Sequence, residues 1–176
     1  MPAEITAREQ IYTGKVVTLE LVTLQLPDGR SARQEVIIHR PSVGMVPVDE
    51  QGRLLLVRQY RSPASSDLLE IPAGSVDPEE DVETAVQREL QEEVGMRAGR
   101  LRRLGGFYLA PGYCSEYMHV YVADGLTSSV LQADEDELID VERLTLHEAL
   151  SQIEAGEIQD VKSIAALLLY ARELAR

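Results

Sequence analysis

A chain of 176 residues with 30 acidic side chains against 17 basic ones carries a formal charge of −13. It is long enough to bury one sizeable core and too acidic to wrap a nucleic acid backbone, whose phosphates it would repel. The longest strongly apolar run, IAALLLYA at 164–171, is far short of a membrane span, and the opening MPAEITAREQ lacks the basic and apolar regions of a signal peptide. The single cysteine, Cys114, excludes an internal disulfide and a cysteine-based zinc cluster. The expectation is one domain over 1–176 in the cytoplasm, with neither nucleic acid nor membrane as a partner.

Alternating apolar residues over 15–26 (KVVTLELVTLQL) and 32–39 (ARQEVIIH), joined by a Pro-Asp-Gly turn at 27–29, predict an N-terminal hairpin. Residues 43–49 (VGMVPVD) and 53–60 (RLLLVRQY), separated by a glycine turn, predict another strand pair. A loop at Gly74 leads to a helix over about 81–95, ended by Gly95 in a C-cap role. Strands are expected at 101–109, 118–124 and 138–144. Thr145 and Glu148 have the spacing of a capping box, so a helix follows them and closes near Gly156. In the last helix, VKSIAALLLYARELA, positions 164, 167, 168, 171 and 174 are expected to face the core. Strands and helices mixed in this order predict a mixed sheet with helices packed on its faces, an α/β fold.

The helix at 81–95 departs from ordinary amphipathic patterning. At about 100° per residue, Val82, Ala85, Val86, Leu90 and Val94 share a broad apolar face, and Glu89 and Glu93 fall inside that sector. Glu92 is three residues from Glu89, so three carboxylates share one rim of the helix. Two such charges about 5 Å apart, at an effective dielectric near 20, repel by roughly 3 kcal/mol. Either one glutamate is protonated or cations sit among them, and Mg²⁺ suits the second answer because it takes hard oxygen ligands and completes its shell with water and phosphate. A surface helix with solvated charges is the plain alternative. Arg88 adjoins Glu89 and has the reach to hold a neighbouring carboxylate, though an ordinary surface arginine would read the same.

From Gly74, the order of five residues, Glu80, seven residues and then Arg88-Glu89-Leu90-Gln91-Glu92-Glu93-Val94-Gly95-Met96 matches the Nudix box, G-x5-E-x7-R-E-U-x-E-E-x-G-U with U apolar, at each fixed position. The chain therefore resembles the Nudix hydrolases, which cleave a nucleoside diphosphate linked to a further group. The resemblance implies an α/β/α sandwich in which the box forms a loop–helix–loop, preceded here by the N-terminal hairpin region. It implies Mg²⁺ as cofactor, with Mn²⁺ able to replace it, and metal oxygens from Glu89, Glu92, Glu93 and the carbonyl of Ala73. Glu80 would lie on the loop packed against the helix, and Gly74 would let the chain turn sharply beside the metal. His39, His119, His147 and Cys114 are expected to be packing or surface residues.

Two segments outside the box resemble the ADP-ribose pyrophosphatase branch: LLEIPAG at 68–74, and APGYCSE at 110–116, which sets Pro111 fifteen residues after Met96. Similar proteins more often carry serine where Ala110 stands and an acidic residue where Ser115 stands. This likeness implies cleavage of ADP-ribose to AMP and ribose 5-phosphate, with substrate contacts from Arg58, Arg61, Glu70, Pro111 and Glu116. Guanidinium groups at a strand end suit diphosphate oxygens or a base face; Arg58 and Arg61 are equally ordinary residues for such a place. Within ADEDELIDVE at 133–142, Glu137 and then Glu135 resemble the mobile acidic loop that supplies the base, so Glu92, Glu137 and Glu135 are the candidate catalytic carboxylates. The branch also implies a homodimer built with N-terminal strands from 1–40. The alternatives are a pyrophosphatase for another nucleotide sugar such as GDP-mannose, or a non-catalytic ADP-ribose sensor; a nucleic-acid-decapping role fits the acidic composition less well.

Overall fold

The computed structural model describes residues 3–132 and 138–176, which group into two compact units, 3–41 with 108–117, and 42–107 with 118–132 and 138–176. The first unit is an antiparallel sheet of β1 (Glu4–Thr13), β2 (Val17–Gln25) and β3 (Ser31–His39) in that spatial order. The expected hairpin is β2 with β3, paired from Gln25↔Ser31 to Val17↔His39. β1 was not expected. Its sequence, EITAREQIYT, alternates weakly, all ten residues are exposed, and its pairing with β2 shifts register twice, so neither burial nor period marks it. The segment 108–117 joins this unit through β3: Ile37 N donates to Tyr113 O at 2.7 Å and Ser115 N to Ile37 O at 2.9 Å.

The second unit holds the core. β4 (Ser42–Pro47) lies between β7 (Ala73–Ser75) and β10 (Tyr117–Asp124), with β9 (Arg100–Tyr108) beyond β10. β4 runs parallel to β10 and antiparallel to β7, which makes this sheet mixed, as expected. All six residues of β4 are buried, the pattern of a strand covered on both faces, and both α1 (Val82–Glu93) and α3 (Val161–Leu174) pack on it. Val43 and Met45 of β4 form a cluster with Ala85, Val86 and Leu90 of α1 and with Tyr121 and Ala123 of β10.

A second sheet places β5 (Leu54–Arg61) between β6 (Ser66–Glu70) and β12 (Ile139–Leu144). The expected pairing of β4 with β5 is therefore corrected: one isolated bridge, Val48↔Leu54, joins them. A strand has two edges, and both edges of each are taken elsewhere. Asp49 closes the turn by accepting from Gln51 N and Arg53 N, each at 2.9 Å, while Val48 N donates to Ala123 O at 2.8 Å. The chain thus leaves one sheet and enters the other. β8 (Met96–Arg97) and β11 (Thr127–Ser128) form a short separate pair.

The helix ends follow the sequence closely. Asp81 caps α1 by accepting from Glu83 N and Thr84 N, and the chain leaves it through Gly95 at φ 69°. α2 (Leu146–Ala155) has both halves of the Thr145–Glu148 capping box and ends at Gly156, φ 76°. α3 differs in its buried face. Lys162, Ser163, Ala166, Leu167 and Tyr170 are buried, whereas Leu168 and Leu174 are exposed. Two polar residues of its first turn set the rotation of that helix, for reasons visible at the site. No helix among the described residues is long and apolar enough to cross a membrane.

Candidate active site

The glutamates of α1 lie where the helical wheel puts them. Glu89 and Glu93 are buried at 8% and 6% exposure, beside Ala85, Val86 and Leu90. Arg88 organises this rim. Its Nη1 donates to Glu89 Oε1 at 2.7 Å and Glu92 Oε2 at 2.9 Å, while Nε and Nη2 reach the two oxygens of Glu80 at 3.0 Å each. Nη2 also donates to Ser75 O at 2.9 Å, tying the guanidinium to β7. Its hydrogen bonds to Glu80, outweighing burial, push the Arg88 pKa further up, with Glu89 and Glu92 adding to the effect. The same bonds hold the Glu80 carboxyl below its usual range despite partial burial, helped by the amide of Asp77. One guanidinium thus offsets part of the repulsion among three carboxylates.

Gly74 has a different reason from the expected sharp turn. It lies in β7, paired with Val43, and its φ is not positive. A Cβ there would stand 1.9 Å from Glu89 Oε1 and 2.0 Å from Glu89 Cδ. The strand must lack a side chain so that the carboxylate can lie against its backbone. One residue earlier, Ala73 N donates to Glu93 Oε2 at 3.0 Å. β7 and α1 therefore hold two carboxylates against one stretch of backbone.

The donor types suit a hard dication: carboxylate oxygens of Glu89, Glu92 and Glu93, of which Glu93 is bonded to the backbone of Ala73. Among the described residues no group of three or more acidic, histidine or cysteine side chains is drawn together closely enough to hold a metal ion by itself. That arrangement still fits Mg²⁺, which keeps several waters and is commonly held by one or two carboxylates together with substrate phosphates. An open groove of about 570 Å³ runs along α1 past Glu80, Asp81, Gln87, Arg88 and Arg97, and Glu89, Glu92 and Glu93 do not line it. The buried carboxylates, rather than that groove, are the chemically distinctive feature.

A second constellation surrounds Glu70, at 2% exposure the most deeply buried acidic side chain among the described residues. Arg61 grips it as a fork, Nε to Oε1 at 3.0 Å and Nη2 to Oε2 at 2.7 Å, and Lys162 Nζ reaches Oε2 at 2.6 Å. Its hydrogen bonds to Glu70 raise the Arg61 pKa against the effect of burial, with the charges of Glu70, Glu93 and Asp160 contributing. Glu70 was expected among the substrate contacts; its oxygens here face two cations, Arg61 and Lys162. Arg58, in the same strand, is paired with Glu142 of β12 at 2.5 Å and keeps 40% of its side chain exposed. Lys162, Asp160 and Ser163 were missed in the sequence. The signal available was a lysine and a serine on the buried side of an apolar helix.

Pro111 and Glu116 lie in the segment 108–117 of the first unit; Pro111 is exposed and Glu116 half-buried, with Glu116 O accepting from Leu109 N at 3.3 Å. Glu135 and Glu137 lie outside the described residues. Cys114 pairs through its backbone with Ile37 and is half-buried. Burial, with the charge of Arg103, lowers the pKa of His119.

Comparison with known proteins gives concordant matches. A family model described as NUDIX domain matches residues 38–167. The ADP-ribose pyrophosphatase of Bacillus subtilis (strain 168) is 37% identical over 165 residues, 92% of this chain and 88% of that protein. The methanol dehydrogenase activator of Bacillus methanolicus is 37% identical over 161 residues, 90% of this chain and 87% of its own. A crystal structure of an ADP compounds hydrolase superposes with a TM-score of 0.90 at 30% identity, covering 99% of this chain and 95% of that one.

Proposed function

Because the chain belongs to the NUDIX domain family and is a Nudix hydrolase, we propose that it hydrolyses the diphosphate of ADP-ribose to AMP and ribose 5-phosphate with Mg²⁺. The observation that carries the chemistry is the pair of buried carboxylates, Glu89 and Glu93, set against a strand whose glycine leaves room for one of them. The substrate follows from the ADP-ribose pyrophosphatase relative and from the flanking LLEIPAG and APGYCSE segments.

A divalent ion bound by Glu89, Glu92, Glu93 and the carbonyl of Ala73 would neutralise diphosphate oxygens and acidify a water. The chain's own residues do the positioning. Arg88, itself fixed by Glu80, keeps Glu89 and Glu92 from swinging apart. Arg61 commits Nε and Nη2 to Glu70, which leaves Nη1 to donate to a diphosphate oxygen, and Arg58 is the second guanidinium on that strand. We assign water activation to Glu137, with Glu135 next, and the adenosine-side contacts to Pro111 and Glu116. Retention of all three box glutamates favours an enzyme over a sensor. The reading also carries a homodimer using the N-terminal strands and a cytoplasmic location.

The test is incubation of purified protein with Mg²⁺ and ADP-ribose in ¹⁸O-labelled water, alongside GDP-mannose and other nucleotide sugars. AMP and ribose 5-phosphate should form, one of them labelled, and a chelator should stop the reaction. Intact ADP-ribose beside a cleaved alternative would transfer the assignment to that substrate. Glu93→Gln should lower kcat by on the order of 10²-fold or more with the fold retained; wild-type turnover would remove Glu93 from the mechanism.

A further inference from the structure

We propose that Lys162, in the first turn of α3, is a positioning residue for Arg61, acting through the buried carboxylate of Glu70. The inference rests on the reading of Arg61 as a diphosphate contact. Four charged side chains, Arg61, Glu70, Lys162 and Asp160, form a closed set of two cations and two anions. Lys162 Nζ bridges Glu70 Oε2 at 2.6 Å and Asp160 Oδ2 at 2.8 Å, and Arg61 holds Glu70 from the opposite side. Exposure is unequal: side chains of Glu70, Lys162 and Asp160 are 2%, 10% and 15% exposed, and Arg61 is 37% exposed. The arginine is the most open to solvent of the four.

The anchor is itself fixed. Asp160 caps α3, accepting from Ser163 N at 3.0 Å and Ser163 Oγ at 2.6 Å. Ser163 Oγ in turn accepts from Ile71 N at 2.8 Å, one residue beyond Glu70 and two before Ala73. The first turn of α3 therefore grips the end of β6 twice, at the Glu70 carboxylate and at the following backbone amide. Without Lys162, the Glu70 carboxylate has one cationic partner, and that partner is a long side chain with solvent beside it. With it, the carboxylate is held from two directions and its fork sets the plane of the guanidinium. The charges of Lys162, Glu70 and Asp160 are thereby turned into the orientation of one half-buried arginine.

The test measures ADP-ribose affinity by calorimetry in the presence of EDTA, together with KM and kcat in Mg²⁺. Lys162→Met should raise Kd and KM by on the order of tenfold, with a smaller change in kcat, and Lys162→Arg should recover most of the loss. In an Arg61→Ala background, Lys162→Met should add less than about twofold, because the element it positions is gone. An unchanged Kd in folded Lys162→Met, with Arg61→Ala still raising Kd, would overturn the proposal and leave the Arg61 reading intact. An unchanged Kd in Arg61→Ala would instead overturn the Arg61 reading, and the proposal with it. If Lys162→Met does not fold, Asp160→Asn keeps the cap and loosens Lys162. It should raise Kd several-fold, and an unchanged Kd there would equally overturn the proposal.

Discussion

Gly74 shows most directly how one residue conditions the chemistry. Its missing Cβ is the space taken by the Glu89 carboxylate, so Gly74→Ala must push Glu89 off the strand or distort β7. The expected outcome is a kcat lower by on the order of 10²-fold, with a loss of stability of about 1–3 kcal/mol from overpacking; steady-state kinetics and urea denaturation measure the two. Burial of Glu89 and Glu93 was legible in the sequence because i and i+4 positions fall in the apolar sector regardless of tertiary contacts. The reason for Gly74 was not, because it depends on a strand meeting a helix side chain fifteen residues later. Glu70 was legible only as a polar residue in an apolar stretch. Its partner Lys162 is 92 residues away, and no local period connects the two.

Among the elements, the ends of α1 and α2 were the most legible, since Gly95, the Thr145–Glu148 box and Gly156 are each written within a few residues, whereas the Asp160 cap of α3 was missed. Gly95 follows α1 at φ 69°, where a Cβ is strained and would approach Val130 Cγ2 at 3.3 Å. Gly95→Ala should cost about 1 kcal/mol or somewhat more, read as a lower urea midpoint. Asp160 provides a pH-dependent case. Burial alone would raise its pKa, but the charge of Lys162 and hydrogen bonds from Lys162 and Ser163 hold it below the ordinary carboxylate value. Its contribution is therefore present above the unfolded pKa, about 3.9, and is lost as pH falls through the lower folded value. Stability should decline on acidification below about pH 4, and Asp160→Asn should flatten that decline; an identical acid slope in the variant would refute the assignment. The buried face of α3 was misplaced in the sequence because leucines outnumber the polar residues there, whereas ion pairs and a capped amide decide its rotation.

At the scale of the molecule, the mixed sheet and flanking helices follow from the order of periods along the chain, and the likeness to an ADP compounds hydrolase structure extends over 99% of it. Which strands pair was less legible: β4 and β5 are neighbours in sequence with different partners in space, and β1 carries no burial signal. β1 exposes Ile5, Ile11 and Tyr12 by more than half each, which accords with the proposed dimer. Sedimentation should give twice the chain mass, and Ile11→Asp should shift it towards one chain; a monomeric wild type at micromolar concentration would exclude that part of the reading. In the proposed reading the box glutamates gather a hard dication beneath a diphosphate. Electron paramagnetic resonance of Mn²⁺, titrated with protein and an ADP-ribose analogue whose bridging oxygen is methylene, tests it most directly. Wild-type protein should quench the free-ion signal, and Glu89→Gln and Glu93→Gln should each weaken binding by at least about tenfold. Folded variants that bind Mn²⁺ as tightly as wild type would contradict the account.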